Sequence, residues 1–302
     1  MTTEIIDVAD LDCIFLTYDE PKKEEFWIKL QNMVPWAKRV DGIKGSDAAH
    51  KQAARVSDTD RFILIDGDNI PDPVFFNLQL TLSEANRDNV FRWKARNHIN
   101  GLMYGNGGVS CWTKDFVNHM KTHENTDGRD ETVVEFCFDP KYIPMHDCYS
   151  TTYPNSTPFQ AWRAGFREGV KMSLDRGVKT ANKEFKKEIH WKNLDRLRVW
   201  LNVGADVENG LWAILGARHG CYMTNCTDWD YVQVRDFDYL TQLWKDEVEG
   251  ITDLDSKISY YGTELKNALN LEIAEPRADA SKFFKAVHIQ QYRAGAGFLD
   301  KE

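Results

Sequence analysis

The sequence predicts an α/β protein, with an open twisted sheet flanked by helices over residues 1–155 and a largely helical portion over 156–302. Three observations predict it. Short apolar runs rich in β-branched and aromatic residues alternate with helix-period segments near the start, giving β-α-β-α-β within about seventy residues. The third run, Arg61-Phe62-Ile63-Leu64-Ile65, stops abruptly at Asp66-Gly67-Asp68-Asn69, as a buried strand stops at a turn. From Thr157 onward the pattern changes to helices, opening on a Thr-Pro pair that caps and starts the first of them.

Taken in order, residues 11–18 read as the first strand and Asp19-Glu20-Pro21 as its turn. Residues 24–33 form an amphipathic helix, with Phe26, Trp27 and Leu30 on one side. A short second strand over 37–41 ends at Asp41-Gly42. Asp47 caps a helix that runs to Val56, ahead of the third strand at 62–65. Pro71-Asp72-Pro73 starts a helix over 74–82, and 90–96 is a strand. Gly105-Asn106-Gly107-Gly108 forms a glycine-rich turn into the apolar segment 109–112, followed by a helix near 113–120. Residues 136–139 and 142–146 are short extended pieces. Helices follow over 157–174, 194–203 and 210–217, and the stretch 228–255 is acidic and aromatic.

A chain of 302 residues can bury a large core. A net charge of −9 argues against indiscriminate adhesion to nucleic acid. Nowhere do roughly 18 apolar residues run together as a membrane span requires. The first residues carry acids where a secretion signal carries Lys or Arg, so a cytoplasmic protein is expected. The cysteines at 13, 111, 137, 148, 221 and 226 make no Cys-X-X-Cys pair and read as free, mostly buried thiols.

The chemistry concentrates in a few places. Asp66 and Asp68, at i and i+2 past the carboxyl end of a strand, suit a hard divalent cation that also carries phosphate oxygens. Asp41 ends the second strand, where it either reaches a base or ribose or serves as a turn residue. His146 is either a third metal ligand or an ordinary polar histidine. Asp130 and Glu131 are a helix cap or, in an inverting enzyme, a general base. The Gly105–Gly108 backbone allows close approach of a ligand or forms a tight loop, and it lacks the GxGxxG and Walker patterns. Between Arg163 and Arg198 eleven Lys/Arg stand against five Asp/Glu, with Trp162 and Trp191 interleaved. Such a run is either a solvated face or a surface for a phosphate backbone.

The Asp66-Gly67-Asp68 tripeptide matches the Asp-X-Asp signature of nucleotide-sugar glycosyltransferases. With the Tyr18-Asp19-Glu20 turn, the alanine-rich helix before it and the glycine segment, it resembles the GT-A glycosyltransferases. The segments 157–172 (TPFQAWRAGFREGVKM) and 209–218 (NGLWAILGAR) are similar to a group of bacteriophage DNA-base glycosyltransferases that includes the arabinosyltransferases of T-even-like phages. The resemblance covers about residues 10–225.

It implies a GT-A-like, Rossmann-type sheet and transfer of a pentose or hexose from a UDP-sugar, with Mn²⁺ or Mg²⁺. The acceptor implied is the hydroxymethyl group of 5-hydroxymethylcytosine in double-stranded DNA, in the host cytoplasm. The metal candidates are Asp66, Asp68 and His146, and the nucleotide-sugar candidates Thr17, Tyr18, Asp41, Lys51, Asp66 and Gly107. Arg163, Arg167, Lys171, Lys187 and Trp191 are the DNA-face candidates, and Asp130 and Glu131 the catalytic ones. A GT-A enzyme with a protein or glycan acceptor, and a non-catalytic nucleic-acid-binding module, are the alternatives.

Overall fold

The computed structural model describes residues 3–122 and 139–295, apart from the side chains of 105–107 and 289–295. The chain forms two compact units, 1–96 with 103–153 and 97–102 with 154–302. The main break falls at Tyr153–Pro154, against the 155/156 division expected. The short excursion 97–102 into the second unit is an addition to that expectation.

The first unit is mixed α/β. Its elements are β1 (Glu4–Asp7), β2 (Asp12–Thr17), α1 (Lys23–Met33), β3 (Lys38–Asp41), α2 (Ser46–Val56), β4 (Arg61–Asp66), β5 (Asn69–Pro71), β6 (Gln79–Leu82), β7 (Val90–Asn97), β8 (Met103–Thr113), α3 (Lys114–His119) and β9 (Tyr142–Thr152). Seven strands share one sheet in the order β3-β2-β4-β8-β7-β9-β5, and β1 pairs with β6 separately. β3, β2 and β4 are parallel, and β8 runs antiparallel to β4. Apolar side chains leave both faces of the central strands. Cys13, Phe15, Ile63 and Ile65 pack with Phe26 and Leu30 of α1, while Ile14, Phe62 and Leu64 pack with Ala53 and Ala54 of α2 and Phe116 of α3. Burial on both faces is why these strands read as unbroken apolar runs.

Three expectations are corrected. Residues 74–82 are not a helix: Pro73–Asn77 is a 3₁₀ turn capped by Asp72, and β6 follows. In β6 burial alternates residue by residue, with Leu80 and Leu82 inside, and that period of two belongs to a strand. Gly45, with φ of +94°, is the residue before α2, and Asp47 lies inside its first turn, bonded to Lys51 at 2.8 Å. The Gly105–Gly108 segment is not a loop but part of β8. Between Tyr104 (opposite Ala95) and Val109 (opposite Trp93) β8 has four residues where β7 has one, which is a bulge.

Asp12, at the start of β2, accepts hydrogen bonds from Lys38 Nζ (2.8 Å) and from the backbone N–H groups of Asp58 and Thr59. Burial works against its charge, but these bonds hold the carboxyl below the ordinary Asp value. A depressed folded-state pKa stabilises the protein above the unfolded value and loses that contribution as pH falls through the folded one. Asp12→Asn is therefore expected to lower Tm at pH 7 by roughly 3 °C, for about 1 kcal/mol at a partly solvated site. The difference should shrink as pH falls below the ordinary Asp value, in thermal melts followed by circular dichroism.

The second unit is built of helices: α4 (Pro158–Met172), α5 (Phe185–Glu188), α6 (Trp191–Asn202), α7 (Gly210–Cys226), α8 (Phe237–Leu243), α9 (Leu254–Leu269) and α10 (Ala278–Gly295). Thr157 caps α4, accepting the Gln160 N–H at 3.1 Å, with Pro158 in the first turn as expected. α4 and α7 cross backbone to backbone. A Cβ on Gly165 or Gly169 would lie 2.0 or 2.2 Å from the carbonyl oxygens of Ala213 or Ala217, and one on Gly216 or Gly220 would lie 2.1 or 2.2 Å from those of Trp162 or Phe166. Both glycine pairs are spaced four apart, so each lies on one helix face.

Arg218, fully buried on α7, donates to the carbonyls of Leu201 (2.9 Å), Ile258 (2.9 Å) and Ala274 (2.6 Å), tying together the chain around α6 and α9. Ile99, from the 97–102 excursion, is fully buried against Gly204, and Lys285 of α10 donates to its carbonyl. No helix among the described residues is long and apolar enough to cross a membrane.

Candidate active site

The parallel strands bring three polar residues to one edge. Thr17 lies opposite Asp41, and Leu16 opposite Asp66, so the carboxyl ends of β2, β3 and β4 meet. Asp41 Oδ1 accepts from Thr17 Oγ1 and Lys23 Nζ, both at 2.7 Å, and Arg39 stands 3.5 Å from Oδ2. Burial opposes its charge, but these donors and the two cations outweigh it and hold the carboxyl below the usual Asp value. Lys23 also donates to the Tyr18 carbonyl at 2.7 Å, and the Tyr18 ring is 45% exposed.

β4 delivers Asp66, Gly67 and Asp68 to the same edge. Gly67 makes room there: a Cβ would lie 2.8 Å from the Glu20 carboxyl carbon and from Thr17 Cγ2, and would push the Glu20 carboxyl aside. Glu20 is held in place by the Tyr18 N–H, which donates to Oε2 at 2.7 Å. This third carboxylate was legible in the sequence only as a turn residue.

The three acids disturb one another. Burial pushes Asp66 up to about 6, with the Glu20 charge adding to it. Burial and then the Asp66 charge push Asp68 up to about 6, against hydrogen bonds from Thr152 and Asn69. Glu20 is raised by burial and by the charges of Asp68 and Asp19, against two backbone hydrogen bonds. Asp66 touches solvent all the same, so it occupies a position that water reaches but hydrates poorly. The Arg39 guanidinium feels the Glu20 charge, but no ion pair among the described residues joins a cation to any of the three.

Asn69 sets the direction of Asp68. It is 3% exposed, donates from Nδ2 to Asp68 Oδ1 at 2.7 Å, and accepts from Ser150 Oγ at 3.2 Å. Gly108, with φ of +68°, packs on that amide so closely that a Cβ would lie 2.1 Å from Nδ2. The glycine bulge thus supports the aspartate through Asn69. Gly108→Ala is expected to displace Asn69 and lower metal-dependent ligand binding about tenfold, read by titration calorimetry.

The described residues contain no group of three or more His, Cys, Asp or Glu placed to hold a metal ion by themselves. Hard oxygen donors at Asp66 and Asp68 still fit Mg²⁺ or Mn²⁺, which take one or two carboxylates and complete their shell with substrate phosphates and water. His146 is exposed and lies inside β9, not at the end of a strand. Thr152, which bonds Asp68, is six residues further along, or roughly 20 Å of extended chain. Lys51 is paired with Asp47 on its own helix. Gly107 lies in the β8 bulge. Asp130 and Glu131 lie outside the described residues.

The basic segment of the second unit separates into two kinds of residue. Lys171 pairs with Glu168 (3.3 Å), Lys187 with Glu184 (2.7 Å), and Lys186 and Arg198 both with Glu272. Arg163 and Arg167 instead lie over the Phe237 ring, at 5.2 and 4.6 Å, with Arg163 also over Phe159. Burial, reinforced by the Arg163 charge and opposed by Glu168, lowers the Arg167 pKa, and its buried Nε has no hydrogen-bond partner. Trp191 is 56% exposed, with Lys192 over its ring at 5.3 Å.

No family model matches this chain, and no curated protein is significantly similar to it. Its chemistry has to be read from the site alone.

Proposed function

We propose that this chain is a metal-dependent, GT-A-type glycosyltransferase that moves a pentose or hexose from a UDP-sugar to the hydroxymethyl group of 5-hydroxymethylcytosine in DNA. The observation that carries the reading is the trio Glu20, Asp66 and Asp68. These acids lie at the carboxyl ends of parallel strands and repel one another, and no ion pair among the described residues balances them, although Arg39 feels the Glu20 charge. Carboxylates kept at that cost suit a ligand that brings positive charge, as a cation bridging to a diphosphate does.

In this reading Asp66 and Asp68 hold Mn²⁺ or Mg²⁺, which when bound would neutralise charge on the departing nucleotide. Asn69 keeps the Asp68 carboxyl aimed, and Gly67 lets the Glu20 carboxyl stand beside the pair. Asp41 is kept ionised by Lys23, Thr17 and Arg39, and its Oδ2 is the atom best able to accept a ribose hydroxyl. Tyr18 offers an exposed ring to the base. In the second unit Arg163 and Arg167, which form no ion pair among the described residues, are better placed to meet a phosphate than the paired lysines.

That pairing of the lysines favours the second reading, a GT-A enzyme with a protein or glycan acceptor, because it leaves less bare positive charge than the sequence advertises. Mass spectrometry of nucleosides from hydroxymethylcytosine DNA, incubated with the protein, Mn²⁺ and a panel of UDP-sugars, tests both. A sugar mass on the modified base supports the DNA acceptor. UDP-sugar hydrolysis without transfer leaves the second reading, and neither product removes the transferase.

A further inference from the structure

Beside the Asp68–Asn69 turn, β5 and β9 border a cavity of about 260 Å³. Its lining includes Pro71, Asp72, Arg96, Cys148 and Ser150. Side chains alternate along β9. Tyr149 packs on Phe75 (5.8 Å between ring centres), and Tyr153, just past the strand, packs on Phe26 (5.4 Å); both are half-buried against the core and also border the cavity. Cys148, Ser150 and Thr152 belong to the opposite face. That face leads to the candidate active site, because Ser150 Oγ bonds Asn69 and the Thr152 side chain bonds the Asp68 carboxyl. The Tyr153 N–H also donates to the Asp68 carbonyl at 2.8 Å.

Two charged residues line this space without pairing. Arg96 Nε is buried and has no hydrogen-bond partner, and no ion pair joins Arg96 to Asp72 among the described residues. Asp72 accepts the Val74 N–H at 3.0 Å through Oδ1, which leaves Oδ2 for another donor. A guanidinium only donates and a carboxylate only accepts, whereas each sugar hydroxyl does both. A neutral polyhydroxylated ring therefore offers partners to both lining groups at once, which an anion or an apolar group does not. At about 260 Å³ the space lies just under the usual range for drug-sized ligands and suits one ring rather than a nucleotide.

The geometry points to a monosaccharide subsite, with Arg96 and Asp72 binding the hydroxyls of the sugar to be transferred. The identity of that sugar as the donor's rests on the transferase reading above; the affinity of the cavity for a sugar ring does not.

The test uses the full chain and two variants, Arg96→Ala and Asp72→Asn; the second keeps a side chain that caps the Pro73–Asn77 turn. Calorimetric titrations with Mn²⁺ compare UDP with a panel of UDP-sugars, and saturation-transfer NMR uses free pentoses and hexoses. The expected result is UDP affinity within twofold of the unaltered protein in both variants, with affinity for the preferred UDP-sugar about tenfold weaker. Free-sugar saturation transfer, present in the unaltered protein, should disappear in Arg96→Ala. Unchanged UDP-sugar affinity in both variants overturns the subsite, as does an equal loss of UDP and UDP-sugar. If the unaltered protein binds no UDP, the transferase reading fails, and the free-sugar signal then decides the cavity: lost in Arg96→Ala it upholds the subsite, and absent or unchanged it overturns it.

Discussion

Asp66→Asn and Asp68→Asn are each expected to reduce Mn²⁺-dependent UDP release from a UDP-sugar by at least about a hundredfold, since in the proposed reading each removes a charged oxygen donor to the cation. The same substitutions should make the metal-free protein more stable at pH 8. Both carboxyls are pushed up to about 6 by burial and by a neighbouring acid. A carboxyl with a raised folded-state pKa favours the folded state below the unfolded value, and that contribution is lost as pH rises through the folded one. The window runs from about pH 4 to about pH 6. In EDTA, Tm of the unaltered protein should fall across that window, and Asp68→Asn should flatten the fall. The gain at pH 8 is roughly 2–4 °C, as solvent contact at Asp66 screens part of the repulsion. Loss of turnover with no change in the pH profile would mean that these aspartates act in some way other than as a crowded ionised pair.

Gly165→Ala and Gly216→Ala are expected to have the largest effects on stability, at about 3 kcal/mol or more each. The added methyl carbon meets a backbone carbonyl at 2.0 or 2.1 Å, and no side chain can rotate away to relieve it. The helices have to separate, which loosens the packing of Trp162, Phe166, Ile214 and Leu215 around the crossing. Gly250→Ala is the control, because a Cβ there meets nothing within 4 Å. Urea unfolding should place both crossing variants well below the control, with the slope unchanged. A shift of less than 1 kcal/mol at both positions would contradict so close a crossing.

Strands β2, β3 and β4 were legible because burial on both faces writes itself as a local run of apolar residues. Asp66 and Asp68 were legible for a related reason: the run ends on them. Glu20 was not, since its nearness to Gly67 crosses 47 positions and depends on how two parallel strands are paired. The strand β6 was hidden by prolines that look like a helix start, and the β8 bulge by glycines that look like a loop. The basic run misled through distant partners, such as Glu272, which neutralises Lys186 and Arg198 from the far end of the unit. The segments 157–172 and 209–218, which carried the finer resemblance, contain Gly165, Gly169 and Gly216 of the α4–α7 crossing. Much of their pattern is thus required by packing, and it says correspondingly less about the acceptor.

The burial of Ile99 bears on how the protein is made. Its carbonyl is bound by Lys285, 186 residues later, and Lys285 also pairs with Asp206 at 2.7 Å. At ordinary synthesis rates those residues leave the ribosome roughly 10–40 s apart. During that interval Ile99 and Leu102 wait without the helices that will enclose them, while most of the mixed sheet is already available to fold. A nascent chain stalled before α10 would expose this apolar corner to chaperones, and a gene fragment starting at Pro154 would lack it altogether.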